Sequence, residues 1–168
     1  MYTIAVRDES GSWIPCAHFF TERLEAGIII ECLKQIRHWC GGDGGWNLRY
    51  FITDDSASEQ KGFHEAFKGM EPPVQCLLCT VHSQRTLVTK LGKSPAYKHM
   101  IDALRVRRSR EGCMESIEAA LEVATDKDRA YIENNWKNCT PLWARYIRDP
   151  VPLLAQASNF YLCEYHID

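Results

Sequence analysis

Asp54 and Asp55 stand side by side directly after Trp46–Thr53, a nearly continuous apolar and β-prone run. Such a run reads as a central strand covered on both faces. Carboxylates at the carboxyl end of that kind of strand, with a helix about to begin, lie where open α/β sheets collect ligands and metals. A carboxylate there can hold a hard cation such as Mg²⁺, which prefers oxygen ligands. A purely structural role competes, because an aspartate before a helix also caps it. Capping needs only one acid, and Asp55 is the better placed. Asp54 is therefore the candidate metal ligand.

A second group follows the next apolar stretch. Cys76, Cys79 and His82 read Cys-x-x-Cys-x-x-His. Closed zinc sites take four soft ligands, and only three are near. A fourth would come from a distance, from Cys40 or His64. The competing reading is a buried strand cysteine followed by a helix-starting histidine, and zinc is not expected. A DNA-facing role for His82 and Arg85 is the remaining alternative. Between Arg85 and Arg110 lie eight Lys or Arg against one acid, Asp102. Arg85, Lys90, Arg105, Arg107 and Arg108 are the candidates for a phosphate-contacting strip; a solvated helical face is the alternative. Glu164 and His166 stand near the C-terminus with no partner visible in the sequence.

The elements that must position these groups follow from periodicity. Tyr2–Arg7 and Trp13–Phe20, separated by a polar Gly-containing turn, predict a β-hairpin. Pro15 cannot donate to a ladder, so an edge or a bulge is expected there. Ile28, Cys32, Ile36 and Trp39 recur at helical spacing and predict a helix over 22–39, with Thr21 as its N-cap. Gly41–Gly45 ends it. Ser56 and Glu59 form a capping-box pair, and Phe63, Phe67 and Met70 give that helix an apolar stripe. Gly69 and Pro72-Pro73 stop it. Val74–Leu78 reads as a short strand, with a helix from near Val81. From about Lys93 the chain reads as helical, over Gly112–Ala124 and Asp126–Trp136, and Pro141, Pro150 and Pro152 divide the rest. The order β-β-α-β-α-β followed by helices predicts an α/β sheet with some parallel pairs.

The 168 residues suffice for one domain with a real core. No apolar run is long enough for a membrane span. No secretory signal is read at the N-terminus, so a cytosolic or nuclear setting is expected. The eight cysteines are irregularly spaced and are expected to be reduced, mostly buried thiols. A net charge of −2 argues against an autonomous DNA-binding module, which is normally basic.

Taken together these pieces resemble the transposase domain of Mutator-like elements, and most closely its fungal versions. VRDESGSWIPCAHFFTER is similar to the family's hairpin, and YFITDDSASEQKGFHEAF to the segment with its second catalytic aspartate. CLLCTVHSQRTL resembles the Cys-x-x-His strand and helix that follow, making Cys79 and His82 family-motif positions. NNWKNCTPLWARYIRDPVPLLAQAS resembles the stretch leading to the catalytic glutamate. The resemblance implies a ribonuclease-H-like mixed sheet over 1–92, a helical insertion over 93–150, and over 151–168 the start of the segment with the third acid. It implies metal-dependent DNA cleavage and strand transfer, with Mg²⁺ or Mn²⁺ as cofactor, transposon-end DNA as partner and a nuclear location. An oligomer is compatible with it. Three acids serve because two cations about 3.5–4 Å apart need compensating charge. Asp54 matches the second acid and Glu164 the third, both as metal ligands.

The chain departs from the family pattern in two places. The family's first aspartate lies on a strand upstream of the hairpin and has no counterpart here, Asp8 being a poor substitute. SNFYLCEYHID also lacks the Thr-Asn signature that usually precedes the family's glutamate. The expectation is a sheet without its first strand and a chain inactive on its own. A non-catalytic DNA-binding or protein-interaction module and a small zinc-binding protein are the alternatives. Without that first strand as central neighbour, the hairpin and the Trp46–Asp54 strand either pair directly or leave backbone donors exposed, and marginal stability is expected. The predicted thermal midpoint is no higher than about 50 °C, in the lower mesophile range; a cooperative calorimetric melt above that counts against it.

Overall fold

The computed structural model describes residues 2–7, 10, 12–23, 25–41, 48–54 and 56–150. The chain is mixed α/β, with two two-stranded sheets among these residues. The described residues divide into two compact units, the first ending at Leu77 and the second beginning at Leu78.

The first unit opens with the hairpin, β1 (Tyr2–Arg7) and β2 (Trp13–Phe19), paired antiparallel. Ile4 faces Ala17 while Ala5 faces Pro15, so Cys16 is the extra residue of a bulge. The proline thus sits beside a ladder irregularity, as its missing N–H requires. Helix α1 (Ala26–Trp39) starts later than its periodicity suggested. Thr21 does not cap it. Its hydroxyl bonds Arg23 within a local turn, and Glu25 is the N-cap residue, without a side-chain cap bond. A threonine five residues before the first helical turn has no free helical N–H in reach.

Strand β3 (Tyr50–Thr53) is shorter than the apolar run, and Trp46 lies outside the described residues. It is not covered on both faces: Tyr50 is exposed and only Thr53 is buried. One reason is that its described ladder partner is β4 (Gln75–Leu78) alone. The hairpin forms a separate sheet. Between β3 and β4 runs α2 (Ala57–Ala66), capped by Ser56 as the sequence indicated. Gly69 takes a φ of 84° just beyond it, a conformation that favours glycine. Ile29 and Leu33 of α1 pack on Phe63 and Ala66 of α2 and on its C-cap Phe67, with Tyr2, Ile4 and Phe51 against them. Phe63 stacks between Phe51 and Phe67.

The second unit is helical and takes in α3 (Thr80–Leu91), α4 (Ala96–Arg105), α5 (Arg110–Val123) and α6 (Asp126–Asn135). A 3₁₀ turn, Lys137–Cys139, leads to the short α7 (Thr140–Trp143) and α8 (Arg145–Arg148). Ser109 and Thr125 cap α5 and α6 through their hydroxyls. The core joins Leu87 and Leu91 to Met100, Leu104, Ile117, Leu121, Ile132, Trp136 and Trp143. The two tryptophans meet edge to face at 5.3 Å, and the Trp143 indole N–H donates to the Trp136 carbonyl at 3.0 Å. No described helix is long and apolar enough to cross a membrane.

Close approach of α1 to α2 depends on Gly62. A Cβ there would lie 2.6 Å from Ile29 Cγ2, whereas one at Gly27 would meet nothing within 4 Å. Gly62→Ala is therefore predicted to lower stability despite better helix propensity, since overpacking costs about 1–3 kcal/mol against a gain of about 1 kcal/mol. Gly27→Ala should be neutral or mildly stabilising. Urea denaturation of the two variants checks the contrast, and equal midpoints would sink it.

Candidate functional site

Asp54 directly follows β3 in the first unit. Its neighbour Thr53 is buried and donates its hydroxyl to Glu59, which lies in the first turn of α2. The Ser56 hydroxyl accepts from the Glu59 N–H at 3.4 Å. The capping box is thus half-formed, because the Glu59 carboxylate turns to the strand end. Asp54 is left beside this junction with Oδ1 buried and no hydrogen-bond donor among the described residues. Asp55 and Glu164 lie outside those residues.

Cys76 in β4 shares this environment. Burial pushes its thiol up to about 11, and the charge of Glu59 adds to the shift. It is consequently a protonated, inert side chain at neutral pH. The sequence showed Glu59 only as a capping residue; its bonding to Thr53 and its field at Cys76 depend on how β3, α2 and β4 assemble.

Cys79 and His82 belong to the second unit. Cys79 is buried and is the N-cap residue of α3, without a side-chain cap bond. His82 is half-buried in the first turn. No group of three His, Cys, Asp or Glu side chains able to hold a metal ion occurs among the described residues.

Arg148, which nothing in the sequence singled out, lies against this junction. It is 6% exposed and donates to the Leu78 carbonyl and the Thr80 hydroxyl, the residues flanking Cys79. Burial pulls its guanidinium down to about 10, Cys79 opposing the shift and Arg145 adding to it. Its Nε has no acceptor among the described residues. Arginine in a short helix near the end of a domain has the signature of a surface residue, so only packing could reveal it.

The basic candidates separate into two sets. Arg107 bonds Asp102 at 2.5 Å and Ser116 at 2.9 Å. Partial burial raises the Asp102 carboxyl, but the Ser116 hydroxyl and Arg107 outweigh it and hold it below its ordinary value. Arg105 donates to Gln84 at 2.7 Å, and Arg108 lies 3.8 Å from Asp149. Arg85 and Lys90 are exposed on α3. Asp54 and the basic candidates therefore occupy different units.

No family model, curated protein or solved structure matches the chain.

Arg148 provides a test of the α3 junction. Arg148→Ala should cost about 2–4 kcal/mol, combining orphaned acceptors with lost volume. Arg148→Met keeps volume and removes a buried charge, so its loss should stay under about 1 kcal/mol. Equal losses in urea denaturation would show that the guanidinium hydrogen bonds dominate instead.

Proposed function

We propose that this chain is a transposase-derived, ribonuclease-H-like domain of the Mutator-like kind, built for metal-dependent DNA cleavage and strand transfer. The observation that carries the reading is the buried Asp54 Oδ1 at the carboxyl end of β3, without a donor among the described residues. A buried carboxylate oxygen needs a partner, and a hard divalent cation is a partner that fits an oxygen donor.

Asp54 would hold Mg²⁺ or Mn²⁺, with Glu164 as a further ligand by the resemblance. Bound metal in such a site activates an attacking water or 3′-hydroxyl and stabilises the leaving oxygen. The protein's own contribution is positional. The Thr53–Glu59 hydrogen bond and the Ser56 cap tie the first turn of α2 to the end of β3, which restrains the backbone that carries Asp54. The substrate in this reading is transposon-end DNA, and the setting is nuclear.

The reading predicts Mn²⁺ binding, followed by electron paramagnetic resonance. Asp54→Asn should weaken it on the order of tenfold or more, at least the size of losses seen for supporting residues of metal sites. Undiminished binding in that variant would remove Asp54 from the site. The resemblance supplies only two of three acids within this sequence, so supercoiled plasmid should remain intact with the chain alone. Nicking that depends on Asp54 would show that the catalytic set is complete.

A further inference from the structure

We infer that the α3–α4 hairpin, rather than the Arg105–Arg108 run, is the face that takes the phosphodiester backbone of duplex DNA. The inference rests on the reading above and deepens it by naming the surface and the ligand chemistry.

Residues 72–101 contain no aspartate or glutamate, while Arg85, Lys90, Lys93 and Lys98 fall within them. All four are exposed. None forms an ion pair among the described residues, in contrast to Arg107 and Arg108. Arg85 and Thr89 lie on the side of α3 away from its buried Ser83, Leu87 and Leu91, and Lys93 continues the four-residue spacing into the turn. Lys98 projects from α4, whose buried residues are Ala96, Met100, Ala103 and Leu104. The two helices pack against each other.

Local electrostatics accounts for only part of this set. Lys90 and Lys93, at and just past the end of α3, complement its negative end, as lysines near helix C-termini do. Lys98 does the opposite: it lies in the first turn of α4, at the positive end of the helix, with Lys93 just upstream. That turn contains no acid. Helices α5 and α6 have Glu111 and Asp126 with Asp128 in the same place. The start of α4 is therefore a helix end whose positive potential no acid of its own first turn offsets, and Lys98 adds to it. A polyanion that releases its counterions on binding satisfies it.

The test is fluorescence anisotropy with a labelled 20-base-pair DNA duplex across a range of salt concentrations. Four phosphate contacts correspond to a slope of log affinity against log salt of about −3.6. The Lys93→Gln/Lys98→Gln double variant should weaken binding and flatten the slope by about 2. Lys127→Gln/Arg129→Gln removes the same charge from α6 and should leave affinity within about twofold, since distant surface charges are screened. Equal loss in both double variants, or loss in neither, would overturn the inference. Absence of wild-type binding at low salt would overturn it too, as would binding of duplex RNA in preference to DNA. Mn²⁺ binding at Asp54 is measured without nucleic acid, so failure there with intact DNA binding would sink the metal reading alone.

Discussion

Arg148 reaches back 70 residues along the chain to the carbonyl of Leu78 and, beside it, to the hydroxyl of Thr80. The helical unit begins at Leu78, so this one side chain joins a late helix to the residues where the unit begins. Its burial costs solvation of the guanidinium, and the lowered basicity is the sign of that cost. The charged hydrogen bonds offset part of it. The apolar contacts of Leu87, Leu91, Trp136 and Trp143 must supply the rest. The backbone on either side of Cys79 is thereby tied to α8 within the helical unit.

The first unit uses a different constraint. Gly62 lets Ile29 approach α2, and the aromatic stack of Phe51, Phe63 and Phe67 fastens β3 to that helix. Glu59 then works at three levels. Its N–H is capped, its carboxylate accepts from Thr53, and its charge disfavours ionisation of Cys76. Asp54 lies next to this arrangement with no donor for its buried oxygen among the described residues. Packing in this unit therefore brings a carboxylate into an environment that water would otherwise satisfy.

Much of the local structure was legible in the residues. The hairpin, its irregularity at Pro15, the Ser56 cap, the stop at Gly69 and the start of α6 after Thr125 each follow from chemistry within a few positions. The misses arose where a longer-range choice intervened. Thr21 had the chemistry of a cap but bonds within its own turn. The run before Asp54 had the composition of a doubly covered strand, yet coverage depends on what packs against it, and Tyr50 remains exposed. The basic residues read as one strip; the fold pairs Arg107 with Asp102 and Arg108 with Asp149 while leaving Arg85 and Lys90 exposed.

The residues alone determined the elements, their caps and the placement of Asp54 at a strand end, because hydrogen bonds over three or four positions and side-chain periodicity are local quantities. They also determined the acid-free stretch that makes one helical hairpin positive. Tertiary structure alone decided which polar groups lost their water. Burial of Arg148, burial of the Asp54 oxygen and the field of Glu59 at Cys76 all depend on distances between segments far apart in sequence. Desolvation and Coulomb energy follow those distances, and no short stretch of sequence encodes them.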